Sequence, residues 1–230
     1  ISLTSCTPNE GKTSVSFQLC LSLAESGKQT ILVDADLRKS VLRGRYKANR
    51  EKYGLSHYLS GQVELDDACC RTNVNNFDII FAGPVPPNPS ELLGGDAFKN
   101  MLEVLRMKYD YVIVDTPPLG SVIDAAIGGA ICDGTVIVVE SGAISYKFVQ
   151  NVKEQLNKVG CRILGCVLNK VNTNKNPYYG KYYGHYYGNY YGHGQDGADE
   201  AQGELPLDAG SKTDATAAET ETAVPEQNTG

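Results

Sequence analysis

Tryptophan is absent from this 230-residue sequence, methionine occurs twice and histidine three times. The histidines, His57, His185 and His193, have no partners at metal-ligand spacing, so no structural metal site is read. No stretch approaches the roughly 18 consecutive apolar residues that a membrane-crossing helix needs. No signal peptide is seen either. The seven cysteines (Cys6, Cys20, Cys69, Cys70, Cys132, Cys161 and Cys166) are odd in number and contain no Cys-x-x-Cys pair. Most lie in apolar periodic segments, the pattern of buried, reduced thiols in the cytosol rather than of a disulfide framework. The chain opens on Ile1 inside what reads as a strand, which is expected of a fragment of a longer protein.

Charge is present but unevenly placed. From Gln195 onward nine carboxylates face one lysine, Lys212, giving −8 against a net charge of −6 for the whole chain. Residues 1–194 therefore carry about +2, and the acidity belongs to the tail. At 41% hydrophobic residues, the first part of the chain can bury a core.

Continuous apolar runs alternate with helical spacing through the first 170 residues. Strands are read at 1–5, 30–33, 77–81, 111–114, 135–139 and 163–168. Helices are read at 13–25, with Gly27 as its cap, and near 97–107, 123–131 and 145–159. Strands apolar on both faces and separated by helices make a mostly parallel sheet covered on both sides. The expected fold is doubly wound α/β, whose ligands sit off the carboxyl ends of the strands. Asp34 and Asp115 both fall at such ends.

Three stretches carry chemistry. The loop Ser5-Cys6-Thr7-Pro8-Asn9-Glu10-Gly11-Lys12-Thr13-Ser14 leaves a strand and opens a helix, whose N-terminal N–H groups and dipole favour phosphate. Lys12 can reach the β- and γ-oxygens and the Thr13 hydroxyl can ligate Mg²⁺. The leading glycine of the general pattern is replaced by Cys6, making this a deviant Walker A type; Cys6 is read as filler, with an oxidisable thiol as the alternative. Next comes Asp34-Ala35-Asp36-Leu37-Arg38. Its carboxylates either cap the following helix, or place one near the metal and one to take a proton from a nucleophile. The third is Val112-Ile113-Val114-Asp115-Thr116-Pro117-Pro118, an apolar strand ending in a carboxylate suited to Mg²⁺. The basic residues Arg38, Lys39, Arg43, Arg45, Lys47 and Arg50 are either a solvated face or a docking surface for an acidic partner.

Together with Pro86-Pro87-Asn88-Pro89-Ser90-Glu91-Leu92-Leu93 and a terminal tyrosine cluster, these motifs resemble the bacterial tyrosine kinases of capsule and exopolysaccharide synthesis, over roughly residues 1–193. The resemblance implies a P-loop NTPase fold turned to protein phosphorylation, with ATP and Mg²⁺ as cofactors. It implies catalytic roles for Lys12, Asp34 and Asp36, and nucleotide contacts from Pro8, Asn9, Glu10, Gly11, Lys12, Thr13, Ser14 and Asn169. Metal contacts would come from Thr13, Asp36 and Asp115. It also implies a membrane-anchored polysaccharide chain-length (co-polymerase) protein as activator, a ring-shaped homo-oligomer for the full-length protein, and a cytoplasmic place at the inner membrane face through that partner. The alternative is an ATPase switch of the partitioning and division-site (MinD/ParA-like) kind. Those loops carry an extra lysine where this chain has Thr7. Asn9, where the family often has glycine, tolerates a left-handed backbone.

The expected organisation is a kinase domain over 1–176, a tyrosine cluster over 177–194 and an acidic disordered tail over 195–230. The cluster repeats Tyr-Tyr-Gly-x four times, offering Tyr178, Tyr179, Tyr182, Tyr183, Tyr186, Tyr187, Tyr190 and Tyr191 as phosphoacceptors. Glycine at every fourth position lets several hydroxyls enter one site in turn. Lys181 is the repeat's one formal positive charge, which argues against nucleic acid as a partner. Eight phosphates would add roughly −12 to −16 of charge and repel neighbouring copies. Incubation with ATP is therefore expected to disperse the unaltered chain but not a variant with all eight tyrosines replaced by Phe. Light scattering before and after ATP checks this, and equal dispersal of the two defeats the idea.

Overall fold

The computed structural model describes residues 1–45, 53–119 and 124–172, with Asp124 and Ala125 as backbone only. The tyrosine cluster, the acidic tail, Lys47 and Arg50 lie outside the described residues. Among the described residues fifteen elements follow one another: β1 (Ser2–Ser5), α1 (Lys12–Glu25), β2 (Thr30–Asp34), α2 (Leu42–Arg45), α3 (Leu55–Leu59), α4 (Leu65–Ala68), β3 (Cys69–Arg71), β4 (Phe77–Ile80), α5 (Pro89–Gly94), α6 (Asp96–Lys108), β5 (Tyr111–Asp115), α7 (Asp124–Ala130), β6 (Thr135–Glu140), α8 (Tyr146–Lys158) and β7 (Ile163–Asn169).

The seven strands form one sheet in the order β3-β4-β2-β5-β1-β6-β7. Every neighbouring pair is parallel except β3–β4. Burial on two faces explains the unbroken apolar runs. Ile31 and Val33 of β2 and Val112 and Val114 of β5 pack with Phe98, Met101, Leu102 and Leu105 of α6. The alternate residues Leu32 and Ile113 pack with Leu3, Phe77 and Val138 under Phe17 and Cys20 of α1. Farther along, Ile137 and Val139 of β6 meet Val152 and Leu156 of α8. The mostly parallel, doubly wound sheet expected from the sequence is the fold observed.

This topology decides where chemistry can occur. β1 runs into the loop before α1 and lies between β5 and β6. In the β2–β5 register Asp34 stands directly opposite Asp115. Two carboxylates 81 positions apart in sequence are thus cross-strand neighbours beside the mouth of the loop.

The end of α1 follows the expected glycine. Gly27 has φ 84°. Its N–H donates to Ala24 O at 2.9 Å and the Lys28 N–H donates to Leu23 O at 3.1 Å, closing the last turn. An added Cβ at Gly27 meets no neighbour within 4 Å, so alanine there would be resisted by the backbone alone. Gly27→Ala is expected to lower stability by about 1 kcal/mol, read as an earlier urea midpoint with an unchanged slope.

Candidate functional site

The loop after β1 is held open by its own residues and by the ends of two strands. Asn9 takes φ 68° and Gly11 φ 88°, the left-handed backbone that asparagine and glycine tolerate best. A Cβ on Gly11 would lie 2.2 Å from Asn169 Nδ2, so a larger residue there would push the Asn169 amide off its bond as well as strain the backbone. Glu10 is 1% exposed. Its Oε1 accepts from the Thr7 N–H and, at 2.7 Å, from the Thr7 hydroxyl. Its Oε2 accepts from the Glu140 N–H at 3.0 Å. From the end of β7, Asn169 Nδ2 donates to Glu10 O at 2.8 Å. Lys170 Nζ donates to Asn9 O at 2.7 Å and pairs with Glu140 Oε2 at 2.9 Å. Glu10 thus acts inside the loop, tying it to β6, while its backbone and those of its neighbours face the cleft. Cys6 is fully buried, and burial, then Glu10, push its thiol up to about 12. At neutral pH it carries no thiolate to react.

Against the first turn of α1 stands the last residue of β5. Asp115 is 1% exposed. Lys12 Nζ reaches its Oδ1 at 2.7 Å, as does the Ser16 hydroxyl at 2.9 Å. The Thr13 hydroxyl donates to its Oδ2 at 2.7 Å. Beside it Asp34, equally buried, accepts from the Asp36 N–H at 3.2 Å through Oδ1 and from the Ser40 hydroxyl through Oδ2. Burial first, and the neighbouring Asp115 second, push the Asp34 carboxyl up to about 7; the Ser40 hydrogen bond and Lys12 pull the other way. Asp36 is half-buried and folds its own turn, its Oδ1 accepting from the N–H groups of Arg38 and Lys39 at 3.3 and 3.0 Å. Arg38 Nη2 donates to Ser90 Oγ at 3.1 Å, joining the Asp34-x-Asp36-x-Arg38 turn to the first turn of α5.

These groups open into one cleft of about 740 Å³, a size that suits a nucleotide-scale ligand. Its walls include Pro8, Asn9, Glu10, Gly11, Lys12, Thr13, Ser14, Asp34, Asp36, Asp115 and Lys170. Asn169 lies behind the loop, not on the cleft wall. Among the described residues no three His, Cys, Asp or Glu side chains gather as a metal cage. Thr13, Asp115 and Asp36 bring hard oxygens to the cleft, the donor chemistry that could suit Mg²⁺ held largely by phosphates and water.

Several partners escaped sequence reading. Ser16 lies four residues from Lys12 on the same helical face, and that spacing was its only signal. Ser40 gave none. Lys170 was overlooked beside Asn169, and nothing local tied Arg45 to Ser14, which its Nη1 reaches at 2.6 Å.

Residues 7–164 match the family described as AAA domain. The tyrosine-protein kinase CpsD of Streptococcus agalactiae is 45% identical over 186 residues, which cover 79% of this chain and 81% of that protein. The solved kinase domain of the Escherichia coli tyrosine kinase ETK superposes with a TM-score of 0.70 at 36% identity, covering 74% of this chain and 68% of that one. The septum site-determining protein MinD of Pyrococcus horikoshii, solved with Mg-ADP, gives a TM-score of 0.62 at 26% identity, over 73% of this chain and 68% of that one.

The Asp34 environment has a consequence for stability in metal-free protein. The folded state holds this proton up to about pH 7, whereas an unfolded Asp loses it near pH ~3.9. The folded chain binds more protons across that interval, so this group's contribution is full below it and is lost as pH rises through about 7. With a chelator present, urea unfolding from pH 4 to 8 is expected to show stability falling with pH, with a shallower slope in Asp34→Asn.

Proposed function

The chain belongs to the bacterial protein-tyrosine kinases of capsule and exopolysaccharide synthesis, and we propose the following division of labour for its phosphoryl transfer from ATP to tyrosine. One observation carries the reading. A lysine, a hydroxyl and carboxylates from two adjacent strand ends line one cleft at a helix N-terminus.

The Lys12–Asp115 pair is both buried and ligand-facing. An incoming triphosphate offers Lys12 the β- and γ-oxygens in place of Asp115. Asp115, Thr13 and Asp36 would hold the cation through their oxygens. Bound Mg²⁺ would neutralise charge building on the β- and γ-phosphates. The N–H groups of Gly11, Lys12, Thr13 and Ser14 cradle the phosphates that remain on the enzyme. An incoming tyrosine hydroxyl gives its proton to a carboxylate of the Asp34/Asp36 pair. Its oxygen bonds to the γ-phosphorus while the bond to the β–γ bridging oxygen breaks, and ADP departs. Arg38, fastened to Ser90, stands beside that carboxylate pair where the acceptor enters.

The acceptors are the eight clustered tyrosines, and the activity regulates polysaccharide production. A membrane-anchored co-polymerase protein activates the kinase, and the full-length protein assembles as a ring. Among the described residues no helix is long and apolar enough to cross a membrane; recruitment to the inner face would go through that partner.

The rival is a switch ATPase in which hydrolysis alone matters. Thr7, where that group carries its additional lysine, is spent on Glu10. Labelled ATP separates the readings. Phosphate mapped to Tyr178, Tyr179, Tyr182, Tyr183, Tyr186, Tyr187, Tyr190 or Tyr191 supports transfer, whereas free phosphate alone, with an activator present, supports the switch. Lys12→Met is expected to cut tyrosine labelling by about a hundredfold or more, with retained secondary structure by circular dichroism. Undiminished labelling in that variant defeats the site assignment.

A further inference from the structure

Five cations line the cleft: Lys12, Arg38, Lys39, Arg45 and Lys170. Lys12 is paired with Asp115, and Lys170 with Glu140 and the Asn9 carbonyl. Arg38 is fastened to Ser90 across the mouth. Arg45 reaches inward, and its Nη1 donates to the hydroxyl of Ser14 at 2.6 Å. A contact spanning 31 positions, made by an exposed arginine onto the first turn of α1, is held from its other end. Leu42, in the same short helix, is fully buried, and Arg43 lies over the Phe81 ring at 5.4 Å from its centroid. With those two residues fixed in the core, α2 aims Arg45 at α1.

The direction of approach matters. Lys12, Thr13 and Ser16 all bond to Asp115, marking the side of α1 where the cation and the transferred phosphate belong. Ser14 bonds to Arg45 instead, on a part of the helical turn about 100° onward from Thr13. We infer that Arg45 binds the non-transferred phosphates of the nucleotide, at the α-phosphate end of the cradle. This rests on the cleft being the nucleotide site. A guanidinium offers five N–H donors in a planar fork. One can stay on Ser14 while another takes a phosphate oxygen, so a bond to a neutral hydroxyl is supplemented by a stronger charge-assisted one. The contact is made equally to ATP and ADP, and it discriminates against ligands that carry the base without the diphosphate.

The experiment measures ATP and ADP affinity by calorimetric titration of the full chain, Arg45→Gln and Arg45→Lys. Arg45→Gln is expected to weaken both nucleotides by the same factor, about tenfold, while Arg45→Lys recovers part of the loss. All three should melt at the same temperature, because Arg45 is exposed. Unchanged affinity overturns the inference. So does a loss confined to ATP, which would move the contact to the γ-phosphate, or a loss that follows a lowered melting temperature. An unaltered chain that binds neither nucleotide would instead overturn the functional reading beneath it.

Discussion

A buried positive charge needs a buried negative one, and here the pair is Lys12 and Asp115 at 2.7 Å. The two residues are 103 positions apart, on the first turn of α1 and the last residue of β5. Removing either partner would strand the other in a low-dielectric interior, at a cost of about 3–5 kcal/mol for pairs of this kind. The interaction therefore holds the helix against the sheet in the absence of nucleotide. It also places a positive and a negative group together on the cleft wall. On the reading proposed above, a triphosphate and its cation would exchange partners with a charge pair that is already buried. The hydroxyls of Thr13 and Ser16 also bond to Asp115.

Around this pair the loop is clasped rather than merely turned. Glu10 fastens Thr7 on one side and β6 on the other, and Asn169 and Lys170 hold the two carbonyls at the loop's crest. The clasp comes from the last described strand, close to the point from which the chain continues toward its tyrosines. The loop can therefore dispense with the leading glycine that Cys6 replaces. Its backbone is supported by side chains where other loops rely on glycine alone, and at Gly11 a substitution would strain the left-handed backbone and displace the Asn169 amide.

The same sheet and cleft serve division-site ATPases, so fold alone does not decide between switching and transfer. This chain's cleft carries a second set of groups beside the loop. Thr7 turns inward to Glu10, while the Asp34–Asp36 turn and Arg38, which is tied to Ser90, form a wall of the cleft. A second substrate needs such a wall, with a carboxylate pair for its proton, whereas hydrolysis needs room for water alone.

Local sequence was enough for the parallel sheet and for the three motifs. Two-sided apolar runs, helical spacing and a strand-loop-helix junction are all written within about ten neighbouring residues. The six main strands and four long helices accordingly fall within a residue or two of their expected bounds. The short elements α2 to α5 and the antiparallel edge strand β3 were not legible, because three to six residues are too few to display a period. Nor were Ser16 and Ser40 as partners of the aspartates, Lys170 on Asn9, or Arg45 on Ser14. These contacts depend on the strand order, which lays β5 beside both β1 and β2 and brings Asp115 to Lys12 and Asp34. The sequence determined which residues could bind phosphate and metal; only the folded sheet decided which would meet, since the order of parallel strands is set by packing between segments far apart along the chain.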